Sequence, residues 1–300
     1  MKRRVWLIAM VVLVLLVSTA MLVGCGSNGE VASDNTANEP AGERPAWADE
    51  LVKGDGKTVL VAADTAYPPF ESATADGKSF EGFDVDILNA IGEKLNLKFQ
   101  HMSYDWDSII PGMAAGTDFD MICSALTIRP DRAETVLFGE PYFMDSFGMA
   151  VPVGSTLTSW KDLTDDHVVA VQTSSAAESW AQKNLPANIK YVMNKDTINL
   201  FQAMQAGEAD ALFQDYSQAA SFAADPMREA KVVERVDDTD QYFGMAFQKS
   251  PKGEAMRADL NKALLEIAAD GTYARIYQKW FGVAPDFLPG DKPLSEILAE

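Results

Sequence analysis

An open α/β architecture in two successive units is predicted for this 300-residue chain by three features. Apolar runs of strand length alternate with stretches whose apolar residues recur at helical spacing, the pattern of strand–helix–strand units. The alternation pauses after Gly148 and restarts at Val168, so one unit is followed by another. The chain has room for one or two domains with full cores, and a hydrophobic fraction of 47% suits a globular protein.

The elements follow in order. Lys2, Arg3 and Arg4 precede an apolar run from Val5 to Val23, which reads as a secretory signal over residues 1–24, with a retained membrane anchor as the alternative. Leu22-Val23-Gly24-Cys25 resembles a bacterial lipobox, which implies that Cys25 becomes the lipidated first residue of a mature, membrane-anchored protein. Residues 25–56 are rich in Ser, Asn, Ala, Gly and acids, and are expected to form a flexible acidic tether.

The folded part is expected from Lys57. Thr58 to Asp64 reads as a buried strand, then comes the proline-containing loop AYPPFES and a helix that carries Ile87, Leu88, Ile91 and Leu95 on one face. Further strands are expected at Lys98–Tyr104 and Phe119–Cys123, which makes Cys123 a small buried hydrophobe. The second unit begins with a strand at Val168–Thr173, an amphipathic stretch to about Leu185 and a strand at Lys190–Met193. Thr197 is placed as an N-cap, Leu200, Phe201 and Met204 form a stripe, and Gly207 ends that helix before a strand at Asp210–Phe213. YFGMAF, after Gln241, is one more strand. Met256, Leu260, Leu264 and Ile267 mark a long helix, and Tyr273, Ile276 and Trp280 mark its successor. Residues 286–300 are expected to be a loosely packed tail.

Composition excludes several functions. A formal charge of −19 opposes non-specific binding to nucleic acid or to anionic membranes. Two cysteines and two histidines are too few for a disulfide framework or a Cys/His metal site, and HExxH, GxSxG and GxGxxG do not occur, so no cofactor or metal is expected.

The chemistry centres on Ser124 to Arg132, SALTIRPDR. Proline at 130 favours a helix start, which puts Arg132 in a first helical turn. There its planar fork suits a carboxylate, helped by the Thr127 hydroxyl. An ordinary surface ion pair is the alternative for Arg132. Other candidates stand at strand ends, where open α/β sheets bind ligands. Asp64 follows the first strand, and Gln172 to Ser175 end one strand and open a helix. Asp215 ends another strand and suits an ammonium, while Tyr67 and Trp106 offer aromatic faces. Each has a plainer reading: Asp215 and the serines at 174 and 175 as helix caps, Asp64 as an Asx-turn residue, the two rings as core or rim. A carboxylate site, an ammonium site and aromatic walls together describe a free amino acid.

Asp64-Thr65-Ala66-Tyr67-Pro68-Pro69-Phe70-Glu71, Gly82-Phe83-Asp84-Val85-Asp86-Ile87, Thr127 with Arg132, Phe213-Gln214-Asp215, and Gly271-Thr272-Tyr273 with Lys279-Trp280-Phe281-Gly282 resemble the polar-amino-acid-binding proteins of ABC importers, solute-binding proteins of the type II periplasmic fold. The resemblance runs from about Thr58 to Gly282. It implies two lobes, 57–148 with 243–285 and 149–242, joined by two crossing strands near Asp145–Pro152 and Asp240–Met245. It also implies that Arg132 takes the ligand carboxylate with Thr127, the Ala125 backbone and N–H groups near Ser175 and Ala176, while Asp215 takes the ammonium. Tyr67 and Trp106 would sandwich the side chain, with Asp64 and Gln172 at its polar end. Ala125 stands where glycine or serine is frequent, and Ala176 where glycine or threonine is. Asp64 beside two rings favours a cationic or amide tip. The partners implied are an amino acid, a permease with a separate ATPase, and the membrane through the lipid anchor, with the protein itself a monomer. A cyclohexadienyl-dehydratase-like lyase on the same fold and an amino-acid-sensing ectodomain are the alternatives.

Overall fold

The computed structural model describes residues 43–116 and 118–299. The expected signal sequence, Cys25 and the tether up to residue 42 lie outside the described residues.

β1 (Thr58–Ala63) is buried at every position but Leu60 and lies inside a sheet with helices on both faces, as the apolar run TVLVAA requires. Three short strands, β2 (Ala66–Tyr67), β3 (Glu71–Ala73) and β4 (Phe80–Glu81), form a small antiparallel sheet after it. Gly82 ends that sheet with φ 149°, and a Cβ there would stand 1.9 Å from the Phe70 carbonyl oxygen, so only glycine lets the next helix start this close to the loop. That helix, α1 (Phe83–Leu95), buries Ile87, Leu88 and Ile91 as expected and ends at Asn96 in the left-handed region.

β5 (Lys98–Ser103), α2 (Trp106–Ala115), β6 (Met121–Ile122), α3 (Pro130–Ala133) and β7 (Leu137–Asp145) complete the first passage through this lobe. The chain then crosses at Ser146 into a second sheet. This lobe comprises β8 (Phe147–Pro152), β9 (Val168–Gln172), α4 (Ala176–Asn184), β10 (Lys190–Asn194), α5 (Thr197–Gln205), β11 (Ala211–Asp215), α6 (Tyr216–Ala223) and β12 (Ala230–Arg235). It returns between Arg235 and Gln241 to β13 (Gln241–Phe247), followed by α7 (Pro251–Ala269), α8 (Thr272–Phe281) and α9 (Leu294–Ile297). The sheet orders are β5-β1-β6-β13-β7 and β10-β9-β11-β8-β12. In both sheets parallel strands meet antiparallel ones, because the crossing strands run back through the sheet.

Several local expectations are corrected. The tether does not stay loose up to residue 56. Ala46–Glu50 forms a 3-10 helix whose Trp47 is 7% exposed in the first lobe's core, and its indole N–H donates to Asp259 Oδ2 at 2.8 Å. The tail after 285 also packs: Phe287 and Ile297 are buried, Phe287 meets the Tyr242 ring edge-on, and the Leu294 N–H donates to Glu140. Asp196, not Thr197, caps α5, because its carboxylate accepts the Ile198 N–H while the Thr197 hydroxyl turns inward to the Ala66 carbonyl. On α8 the fully inward rings are Tyr273 and Tyr277, while Ile276 and Trp280 are only partly covered.

Candidate ligand site between the lobes

The C-terminal ends of β1, β9 and β11 and the turn after β6 converge between the two sheets. Asp64, Tyr67, Trp106, Ala125, Thr127, Gln172, Ser175, Ala176 and Asp215, all singled out in the sequence, line one small cavity there together with Ser124 and Gln214. Its volume is about 10 Å³, room for roughly one water molecule. Arg132 does not line this space but flanks it, 5.4 Å from the Trp106 ring centre.

Arg132 is 5% exposed and donates to the carbonyls of Thr127 (3.0 Å) and, across the lobes, Ser174 (2.8 Å). Among the described residues no carboxylate pairs with it, and the two carbonyls engage two of its five N–H donors. Burial, and then the charge of Arg129, press its pKa down to about 9, so it remains a cation at neutral pH.

Asp215 is the N-cap residue of α6, yet its side chain does not cap the helix. One oxygen accepts from the Tyr67 hydroxyl at 2.5 Å and the other from the Gln241 amide at 2.6 Å. Burial raises its pKa to about 6, opposed by these two hydrogen bonds and by the Arg132 charge. No cation pairs with Asp215 among the described residues. The Thr127 hydroxyl is spent on Gln241 Oε1 at 3.0 Å, so Gln241 bridges the two candidate ends of the site.

The other residues divide between the two readings offered by the sequence. Ser175 is a plain N-cap, accepting from the Glu178 N–H and donating to the Gln172 carbonyl, so its one O–H donor is spent. The N–H groups of Ala176 and Ala177, in the first turn of α4, meet no acceptor among the described residues, and Ala176 lines the cavity. The Ala125 N–H is directed to Asp84 and the Tyr142 hydroxyl, while its carbonyl accepts no hydrogen bond among the described residues. Asp64 accepts from the Ala66 backbone as a turn residue and from the Gln172 amide of the other lobe at 3.1 Å. Burial outweighs both and raises its pKa to about 6.

A wider cleft of about 530 Å³ opens from Asp64 and Trp106 and is lined by Ser103, Asp105, Lys195 and Asp196. Lys195 of the second lobe holds Asp105 of the first at 2.7 Å across its mouth. Sequence reasoning missed Gln241 and this rim, and quoted Ser124 and Gln214 within motifs without giving them a place in the site.

The model of the bacterial extracellular solute-binding proteins, family 3, matches residues 59–283. A probable histidine-binding protein of Neisseria gonorrhoeae is 29% identical over 266 residues, 88% of this chain and 92% of its own. The lysine/arginine/ornithine-binding periplasmic protein of Escherichia coli (strain K12) is 30% identical over 240 residues, 75% of this chain and 88% of its own. Among solved structures, an ancestral arginine-binding protein bound to glutamine superposes with a TM-score of 0.69 at 32% identity, covering 75% of this chain and 98% of that one.

Proposed function

The chain belongs to the bacterial extracellular solute-binding proteins, family 3, with their two-lobed α/β fold, and from that premise we propose that it captures a free amino acid outside the cytoplasm and delivers it to an ABC importer. The observation that carries this reading is a pair of buried, opposite charges, Asp215 of the second lobe lining the cavity and Arg132 of the first flanking it beside Trp106. Neither has an ion-pair partner among the described residues. A buried charge without a counter-ion costs stability, and a zwitterion satisfies both at once.

The carboxylate is bound by Arg132 and the free N–H groups of Ala176 and Ala177. The ammonium is bound by Asp215 with the carbonyls of Ser124 and Ala125, which accept no hydrogen bond among the described residues. The side chain lies between Tyr67 and Trp106 and points past Asp64 into the wider cleft. There Asp64, Asp105 and Asp196 outnumber Lys195 and favour a basic or polar side chain. A cavity of about 10 Å³ is too small for an amino acid, so the lobes part to admit it, turning about Ser146 and residues 236–240. Contacts made by both lobes shift the equilibrium toward closure, and the closed form is what a separate permease reads.

Cys25 carries a lipid that holds the monomer at the outer face of the cell membrane. The protein performs no chemistry on its ligand: the carboxyl groups at the cavity are placed to receive a cation. Calorimetry against the common amino acids tests the reading, with binding of one or a few, basic ones foremost, as the expected result. Failure of every amino acid to bind, or turnover of an aromatic amino-acid precursor, overturns it.

A further inference from the structure

Beneath the site lie two carboxyl groups that the ligand never reaches. Glu71 opens β3 and Asp84 stands in the first turn of α1, and both are fully buried. The close approach of Gly82 to Phe70, with Asp84 N–H donating to the Phe70 carbonyl at 3.0 Å, sets the helix start against the loop and brings the two side chains into hydrogen-bonding contact. One oxygen of each is committed upward to the turn that lines the cavity. Ser124 Oγ donates to Glu71 Oε1 at 2.6 Å, and the Ala125 N–H donates to Asp84 Oδ2 at 2.9 Å, joined there by the Tyr142 hydroxyl at 2.7 Å. The other oxygens, Glu71 Oε2 and Asp84 Oδ1, meet no donor among the described residues.

Ionised carboxyls only accept, so two carboxyl groups in hydrogen-bonding contact require a proton between them. Among the described residues no cation pairs with either carboxyl to neutralise a second charge. The titratable groups that face the pair are Asp64 after β1, Tyr67 of β2, Cys123 after β6, Tyr142 of β7 and Tyr273 of α8, each neutral or negative.

We propose that Glu71 and Asp84 share one proton and that this acid pair is a positioning device for the amino-acid site, fixing the Ser124–Ala125 turn that forms its floor. Protonated Glu71 donates to Asp84, and ionised Asp84 in turn accepts from the Ala125 N–H. Burial, reinforced by the Asp84 charge, raises the Glu71 pKa well above the ordinary range, which agrees with that assignment. The turn needs such a hold because Ala125 sits at φ 42°, a left-handed conformation that a residue with a Cβ adopts at a cost. Held there, Ala125 turns its N–H down to Asp84 and leaves its carbonyl and that of Ser124 for the ligand. The same Ser124 hydroxyl accepts the Asp64 N–H at 2.9 Å, so the pair also sets the end of β1.

The role at the site rests on the amino-acid reading above, whereas the shared proton does not, and the two are tested separately. Infrared difference spectra of parent against Glu71→Gln, with no ligand added, are expected to show a protonated carboxylic acid at neutral pH that the variant lacks. Absence of that band overturns the shared proton whatever the protein binds. For the positioning role, L-arginine is titrated calorimetrically into the parent, Glu71→Gln and Glu71→Ala from pH 7 into the alkaline range. Glu71→Gln, which keeps a donor toward Asp84, is expected to bind within about threefold of the parent at pH 7, and Glu71→Ala at least tenfold more weakly. The ratio of parent to Glu71→Gln affinity is expected to fall as pH rises, because only the parent can lose the proton; titration of the arginine itself cancels in that ratio. Equal losses in the two variants, or a ratio independent of pH, overturn the positioning role. If L-arginine fails to bind the parent while the infrared band is present, the amino-acid reading for this ligand fails and the acid pair stands.

Discussion

The Tyr67 hydroxyl donates to the Asp215 carboxylate at 2.5 Å from one lobe to the other, and with the Gln241 amide it holds a buried carboxylate charged. Removing that donor weakens the hold on the charge. Tyr67→Phe is expected to raise the Asp215 pKa above its value of about 6 and to cost ligand affinity about tenfold at neutral pH, the worth of one hydrogen bond to a charged group. Calorimetry at several pH values checks both, and a variant with unchanged affinity and pH profile refutes it.

The pH dependence of binding distinguishes ligand classes. Burial raises both Asp215 and Asp64 to about 6. A carboxyl must lose its proton to receive a cation, so protons compete with ligand below that pKa and cease to compete above it. An amino acid with an uncharged side chain engages Asp215 alone and is expected to lose affinity about tenfold per pH unit well below 6. A basic one engages Asp64 as well and falls more steeply, toward two protons per ligand. Equal slopes for arginine and glutamine would place the cationic side chain away from Asp64.

Arg132→Ala and Asp215→Asn are each expected to weaken binding by about 3 kcal/mol or more, roughly two decades in Kd, because each leaves one end of a buried zwitterion unmatched. Stability should not follow affinity. Arg132 is a buried cation that donates to two carbonyl oxygens and lies over the Trp106 ring with no carboxylate paired to it among the described residues, so its loss removes a desolvation penalty along with those contacts, and Tm is expected to stay within a few degrees of the parent. A large fall in Tm would make Arg132 a structural residue first.

How far the site was legible in the sequence depended on which way the strands run. Asp64, Gln172 and Asp215 end forward-running strands, where the rule that open sheets bind ligands at strand C-termini finds them. Gln241 escaped the rule because β13 runs antiparallel to β6 and β7, so it is the first residue of that strand, not the last, that reaches the cavity. Hydroxyls are hard to place for another reason. That of Thr127 is suitable for a carboxylate by type, but residue type does not say that Gln241 already engages it. The acid pair was quoted within two motifs, yet nothing local marks Glu71 and Asp84 as neighbours; Gly82 joins them, and its close approach to Phe70 is a tertiary fact.

The rim contact between Lys195 and Asp105 joins the lobes at the mouth of the wider cleft, with both side chains half-exposed or more. Exposed pairs contribute less than about 1 kcal/mol, so Lys195→Ala is expected to change affinity for a neutral amino acid by no more than about fivefold. For arginine the sign reverses, because removing the one cation among Asp64, Asp105 and Asp196 leaves those carboxylates to the ligand. Competition titrations of arginine against glutamine on the variant read the difference directly. A shift toward glutamine would show that Lys195 does not oppose the ligand side chain.

Trp47 is where a compositionally acidic, polar stretch ends and the fold begins. Its ring is buried with Ala48 and Leu51 in the first lobe's core, and its N–H is bonded to Asp259 of α7. Trp47→Ala removes that burial and leaves a cavity at the point where the N-terminal segment joins the domain, for an expected loss of about 3 kcal/mol in urea denaturation. The site is remote, so affinity measured well below the unfolding midpoint is expected to be unchanged. A chain begun at Lys57, which omits Trp47, should show the same loss. If that shortened chain matched the parent in stability, the 3-10 helix would be resting on the lobe without supporting it.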